Sequence, residues 1–268
     1  MLLCLPTSVT EAQEYLAEGA VPIGGATLVW ATWQRDGFPG LAMSLRELPE
    51  ANVTGRETVG AAVVLHRIGA RQPDVLRLAA AAIGTGAVRR TATVGGNLVG
   101  STLRCLLPAA LVLDARATVL ESDGVREVDL AEVVVKRPLL LSLRWRAPIA
   151  SAYRKLPGEA GGPPPLVVAS ALGADESGGR RLRVAVRDGY DVLGGDTAGD
   201  TGTEEALGAL RGTALGDLPT GAWDVIRPQV TGLLHGRDGH PWSDHTPGDH
   251  APGPHGAGAH EAPSAPER

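Results

Sequence analysis

Two glycine pairs constrain this chain more than any other feature: Gly24-Gly25 in "VPIGGATL" and Gly95-Gly96 in "TATVGGNLVG". Each closes a short run of strand-forming residues, and neither has an obvious hairpin partner after it. Glycine gives up more conformational freedom than any other residue when it is ordered, so it is expected where a Cβ would stand in the way or where φ is positive. Without that Cβ, backbone N–H groups can approach a ligand, and a helix starting just after the turn adds its positive end to an anion site. "PIGGATL" has this layout, although neither the G-x-G-x-x-G nor the Walker A spacing is present. Taken alone, Gly24-Gly25 reads as a plain tight turn. Two such loops in one domain point to a dinucleotide held between them. Thr93 and Asn97, beside the second pair, supply side chains that can donate and accept.

Composition excludes several alternatives. The 268 residues can bury one large core or two moderate ones, and with only 3% aromatic residues those cores must be built from Val, Leu and Ala. The 25 basic and 30 acidic residues give a net charge of -5, with no basic stripe for nucleic acid and no polybasic membrane patch. Cys4 and Cys105 are too few for a disulfide framework, an iron-sulfur cluster or a zinc site, which suits a reducing, cytoplasmic setting. The N-terminus lacks a basic leader, and no apolar run approaches the roughly 20 residues of a membrane span. The expected protein is soluble and unprocessed.

Along the chain, "LLCLP" is expected to be a strand and "SVTEAQEYLAEG" a helix, capped by Ser8 with Glu11 or by Thr10 with Gln13 and ended by Gly19. A strand, turn and helix follow through Gly24-Gly25. "ETVGAAVVL" is expected to be a strand, and "PDVLRLAAAAIG" and "PAALVLDA" helices opened by Pro73 and Pro108. "ATVLESDGVREVDL" alternates around Ser122, Asp123 and Gly124 as a hairpin. From Leu139 the strand-like segments "LLLSLRWRA", "SAYRKL", "LVVASALGA" and "RLRVAVRDGYDVL" precede two helical ones, "TEEALGALRG" and "GAWDVIRPQVTGLL". This pattern predicts an antiparallel sheet with helices on one side. The expected organisation is therefore 1–138, 139–234 and a Gly/Pro/His-rich tail, 235–268, too poor in apolar residues to order itself. The tail's His235, His240, His245, His250, His255 and His260 recur every fifth residue, a spacing that gathers them on no face of a helix or strand. A low-complexity repeat accounts for them better than a metal site.

"VPIGGATL", "TVGAAVVLHRI", "AVRRTATVGGNL" and "LPAALVLDARATVL", in that order, resemble the FAD-binding flavoprotein (medium) subunit of molybdenum hydroxylases of the carbon monoxide dehydrogenase and xanthine dehydrogenase type. "SAYRKL" followed by "LVVASAL" is similar to the start of that family's C-terminal domain, so the likeness covers about residues 2 to 212. The resemblance implies an α+β, p-cresol methylhydroxylase-type FAD fold of two subdomains, then an antiparallel-sheet α+β domain. It implies that Ile23, Gly24, Gly25, Ala26, Thr27 and Leu28 hold the pyrophosphate through backbone N–H groups. Gly95 and Gly96 would form the second loop, Thr93 and Asn97 would bond the phosphates or the nearby ribose and ribityl groups, and Lys155 would lie near the flavin ring. Each charge-assisted bond of this kind is worth about 1.5 to 3 kcal/mol. By the same resemblance the chain is an electron-transfer subunit, passing electrons from two [2Fe-2S] clusters in a small subunit to NAD⁺, a quinone or oxygen. A large subunit with molybdenum cofactor would oxidise the substrate.

Departures from the family pattern define the alternative, a degenerate structural subunit without flavin. Thr102, Leu103 and Leu106 stand where the family carries a Ser-Pro pair and an aspartate; Ala26 replaces a threonine, and Val63 and Val64 replace a polar pair. Arg104 is a new charge that either reaches a phosphate or is a solvated or salt-bridged surface residue. A free-standing flavin oxidase fits less well, because no flavin-attachment or substrate-pocket residue is identifiable. Trp30 and Trp33 are expected to pack on one helix face, His66 to be structural or exposed, and Cys105 to be a buried helix-start residue.

Overall fold

The first 44 residues alternate strand and helix, and each helix returns the chain across the sheet so that the strands pair in parallel. β1 (Leu2–Cys4), α1 (Val9–Ala17), β2 (Val21–Ile23), α2 (Val29–Asp36) and β3 (Leu41–Ser44) build a three-stranded parallel sheet in the order β1-β3-β2. The structure is a computed structural model and describes residues 1–159, 161–175 and 177–236. Ser8 caps α1 by accepting from the Glu11 amide at 3.2 Å, while the Glu11 carboxylate reaches back to the Thr7 amide at 2.7 Å. Gly19, at φ +85°, ends the helix as expected. The alternative cap at Thr10 is not used: Gln13 instead donates to the Ser122 carbonyl at 2.7 Å and ties α1 to a hairpin of the next sheet. α2 buries no residue, and Trp30 and Trp33 pack on Phe38 at the surface, with ring centroids 5.4 and 6.0 Å apart.

A second, antiparallel sheet runs β4-β7-β5-β6, from β4 (Thr58–Gly60), β5 (Arg116–Glu121), β6 (Gly124–Asp129) and β7 (Leu139–Arg144). The expected β5-β6 hairpin is present. The strand expected over "ETVGAAVVL" stops at Gly60, where a Cβ would lie 2.1 Å from the Ala51 carbonyl oxygen; beyond it Val64 makes a single bridge to Thr93. Leu139–Arg144, expected to open the C-terminal domain, instead completes this sheet between β4 and β5. That pairing is long-range, so no local pattern announces it. Of α3 (Asp74–Ala81), α4 (Gly86–Arg89), α5 (Leu107–Val112) and α6 (Leu130–Lys136), α6 packs on β5 and β6, and α3 and α5 contribute to the sheet's core.

The third sheet is an antiparallel meander, β11-β10-β9-β8, of β8 (Ala150–Lys155), β9 (Val167–Ala174), β10 (Arg180–Asp188) and β11 (Asp191–Ala198). The single strand expected over "RLRVAVRDGYDVL" is two, because Gly189 at φ +58° turns the chain. Side chains alternate across these strands. Val168, Leu172, Leu182, Val184 and Val186 face α7 (Thr203–Arg211) and α8 (Thr220–His235). The small Ala169, Ala171 and Ala185 face α3 and α5 and join the core of the second sheet. Helices thus cover both faces of this sheet rather than one. The cores are built from Val, Leu and Ala, as the scarcity of aromatic residues requires. α8 extends to His235, whose ring nitrogen Nδ1 lies 3.0 Å from the Thr231 carbonyl oxygen, so helix replaces the expected start of the tail. His240, His245, His250, His255 and His260 lie outside the described residues.

Candidate functional site

The turn after β2, the stretch from Arg90 to Cys105, and the ends of β8 and β10 enclose a cavity of about 1010 Å³. That is the upper end of the roughly 300–1,000 Å³ typical of cofactor sites. Ile23, Gly24, Gly25, Ala26, Thr27, Leu28, Thr93, Gly95, Gly96, Asn97 and Lys155 all line it. Local strand-turn-helix chemistry positions the first group, and the Val64–Thr93 bridge holds the second against the segment that follows β4.

The first loop carries unspent donors. The amide N–H groups of Gly25, Ala26, Thr27 and Leu28 donate to no group among the described residues, and Leu28 precedes α2 without a side-chain cap. Four successive amides without partners ahead of a helix are the kind of donor set an anion can use. The reason for the glycines differs from the expected one. A Cβ on Gly25 would lie 1.7 Å from the Thr91 carbonyl oxygen, and one on Gly24 would lie 2.2 Å from Thr93 Oγ1. These glycines let the two loops touch each other; they do not simply clear space for a ligand. Ala26 takes the left-handed conformation, at φ 55°.

The second loop has spent its amides. Gly95 donates to the Ala61 carbonyl (2.8 Å), Gly96 to Thr93 Oγ1 (3.1 Å) and Asn97 to the Thr93 carbonyl (3.0 Å). A π-helical turn then covers Gly96–Gly100. What this loop offers is side chains. Asn97 is buried and its Oδ1 accepts from the Leu106 amide at 2.9 Å, which leaves Nδ2 free to donate into the cavity. The Thr93 hydroxyl oxygen is already an acceptor, so its proton is free in the same way.

The far wall comes from the third sheet. Lys155 and Arg187 are both paired in register with Val167, so the three side chains form one row on one face, and both cations line the cavity. Lys155 Nζ donates to the Ala82 carbonyl at 2.9 Å. Arg187 contacts Cys105 Sγ at 3.3 Å and the Leu103 and Pro165 carbonyls at 3.4 and 2.9 Å. Burial pushes the nearby Tyr153 hydroxyl well above its ordinary range; Cys105 adds to the rise and Arg187 opposes it. Counting every charged residue on the lining, Arg46, Arg67, Arg90, Arg137, Lys155 and Arg187 stand against Glu47 alone, so the cavity is electropositive in an acidic chain. Apolar Val64, Val99, Leu103, Leu139 and Leu140 complete it.

Several singled-out residues have other places. Leu106 is fully buried in the core of the second sheet and does not line the cavity; its amide, not its side chain, serves the site. Thr102 is also absent from the lining. Arg104, at φ 40°, reaches the Val134 carbonyl at 3.3 Å and takes neither of its expected roles. His66 is exposed on a 3₁₀ turn. Cys105 is part-buried, and the charge beside it is Arg187 rather than Arg104. Sequence reasoning missed Arg187: β10 carries four arginines, and its alternation alone does not mark which of them is buried at the cavity. Among the described residues no three His, Cys, Asp or Glu side chains are placed to hold a metal, and no helix is long and apolar enough to cross a membrane.

Residues 2–142 match the family described as the FAD binding domain in molybdopterin dehydrogenase. Solved structures of low sequence identity share the fold. A Cu,Mo-CO dehydrogenase in its cyanide-inactivated form gives a TM-score of 0.65 at 21% identity, over 87% of this chain and 97% of that one. A carbon monoxide dehydrogenase from Hydrogenophaga pseudoflava, lacking the Mo-pyranopterin moiety of its cofactor, gives 0.63 at 18%, over 87% and 95%. Quinoline 2-oxidoreductase from Pseudomonas putida 86 gives 0.58 at 19%, over 87% and 93%. A search of curated protein sequences found no match.

Proposed function

The chain belongs to the family of the FAD binding domain in molybdopterin dehydrogenases, and from that premise we propose that it holds FAD in the cavity and serves as the electron-transfer subunit of a molybdenum-containing hydroxylase. The observation that carries this reading is the run of unspent amides at Gly25–Leu28 on the wall of an electropositive, cofactor-sized cavity. A diphosphate needs that chemistry: fixed donors whose dipoles are already oriented and cost no reorganisation.

In this reading the amides of the first loop hold the diphosphate. Asn97 Nδ2 and the Thr93 hydroxyl bond the phosphates or the adjoining ribose and ribityl oxygens. Lys155 lies at the flavin end, and the apolar lining keeps water from it. Bound FAD supplies the interchange between one-electron and two-electron transfer, and the chain supplies position and field. The expected partners are a large subunit with molybdenum cofactor and a small subunit with [2Fe-2S] clusters, with NAD⁺, a quinone or oxygen as final acceptor. Two free cysteines suit a reducing cytoplasm. Leu106, the feature that most favours a flavin-free scaffold, sits in the core rather than on the cavity wall.

The test is to express the tagged full chain with the subunits encoded beside it, then to quantify FAD, molybdenum and iron in the purified material. Co-elution of all three with the chain is expected. A chain that elutes alone and colourless contradicts the proposal.

A further inference from the structure

Arg187 is 1% exposed, and a guanidinium keeps its charge when buried. Its partners are two carbonyl oxygens and a sulfur, and its Nε has none. No carboxylate lies within ion-pair distance among the described residues. The contrast with Arg183 is direct: on the same face of β10, Arg183 pairs with Asp114 at 2.7 Å. A buried cation without a counter-charge is expensive unless something else supplies one. Arg187 lines the cavity, so a ligand bound there is placed to supply that charge.

We infer that Arg187 is a specificity-determining residue that faces the electron-rich pyrimidine edge of the flavin and favours negative charge there. The inference rests on the FAD reading above. The diphosphate already has the amides of the first loop, whereas Arg187 belongs to the sheet wall, in one row with Lys155 and about 10 Å from it by two strand spacings. Reduced flavin carries its negative charge over N1 and the C2 carbonyl, the second anionic region of the molecule. A cation held there, in a buried place, makes the bound flavin easier to reduce and keeps it anionic.

Sulfite is the probe. Its sulfur lone pair forms a bond to flavin N5, and the displaced electron pair rests over N1 and the C2 carbonyl, so the adduct measures stabilisation of charge at that edge without turnover. The full chain, Arg187→Met and Arg187→Lys are each titrated with FAD and then with sodium sulfite, following flavin fluorescence and bleaching of the visible band. Wild type should bind sulfite at least about tenfold more tightly than free FAD does, and Arg187→Met should lose at least about tenfold of that affinity, with Arg187→Lys between them. Because Arg187 lines the cavity, its loss weakens FAD as well, so sulfite affinity is read only on the flavin that remains bound at saturating FAD. Retained FAD with unchanged sulfite affinity overturns the inference. So does a loss of FAD affinity with unchanged sulfite affinity in the flavin that still binds, which would assign Arg187 to the phosphates. Should Arg187→Met fail to fold, the wild-type and Arg187→Lys values decide by the same criteria. Failure of wild type to take up FAD overturns the FAD reading itself, a result distinct from either of these.

Discussion

The two glycine loops touch across the cavity wall and are built on opposite principles. The first leaves four successive amides unspent among the described residues. The second spends its amides on Ala61 and Thr93 and presents Asn97 Nδ2 and the Thr93 hydroxyl instead. A Gly-Gly pair in a sequence therefore does not by itself indicate donors for a ligand. In the first loop Gly25 allows backbone to approach backbone at the Thr91 carbonyl, and Gly24 clears the Thr93 hydroxyl. In the second, Gly95 clears Ala61 and Gly96 clears only a threonine hydroxyl. The lesson is that one loop should be sensitive to backbone changes and the other to side-chain changes.

The largest expected effect follows from the closest approach. Gly25→Val places a Cβ on the Thr91 carbonyl and should cost about 3 kcal/mol of stability and abolish FAD uptake, as read by urea unfolding and flavin titration. An unfolding midpoint equal to that of wild type would show that the loops are not in contact. Asn97 separates two roles in the second loop. Asn97→Ala strands the buried Leu106 amide and should cost about 1 to 3 kcal/mol. Asn97→Asp keeps that acceptor but turns a donor into a negative charge, so stability should stay near wild type while FAD affinity falls about tenfold. If both variants lose stability equally, Asn97 is a structural residue only.

Smaller effects sharpen the same contrast. Ala26→Gly relieves a left-handed alanine at φ 55° and should raise stability by about 1 kcal/mol without weakening FAD, measured by thermal unfolding in the absence and presence of the cofactor. Thr27→Ala should change the FAD dissociation constant by no more than about twofold, because the contribution there is the amide. A large loss at Thr27 would make the first loop a side-chain site and erase the distinction.

Local chemistry was legible in the sequence. Ser8 and Gly19 mark the ends of α1, the β5-β6 alternation marks its hairpin, and the strand, Gly-Gly turn and helix order marks the first loop. Tertiary neighbours were not. Nothing near Leu139 reveals that β7 inserts between β4 and β5, and nothing near Gly25 names Thr91 as the atom that forbids a side chain. Gln13 satisfied a capping pattern and was taken by a carbonyl 109 residues away. Arg187 was hidden in a strand whose alternation was visible, because which face met the cavity depended on α5 covering the small alanines.

The most direct test of the account is a titration of the purified full chain with FAD, followed by visible absorption and then by heat release to identify the bound flavin. The account predicts uptake near one FAD per chain, competed by a soluble diphosphate and lost in Gly25→Val. A folded chain that stays colourless at saturating FAD, with its partner subunits present, would contradict the claim that the unspent amides of the first loop hold the cofactor.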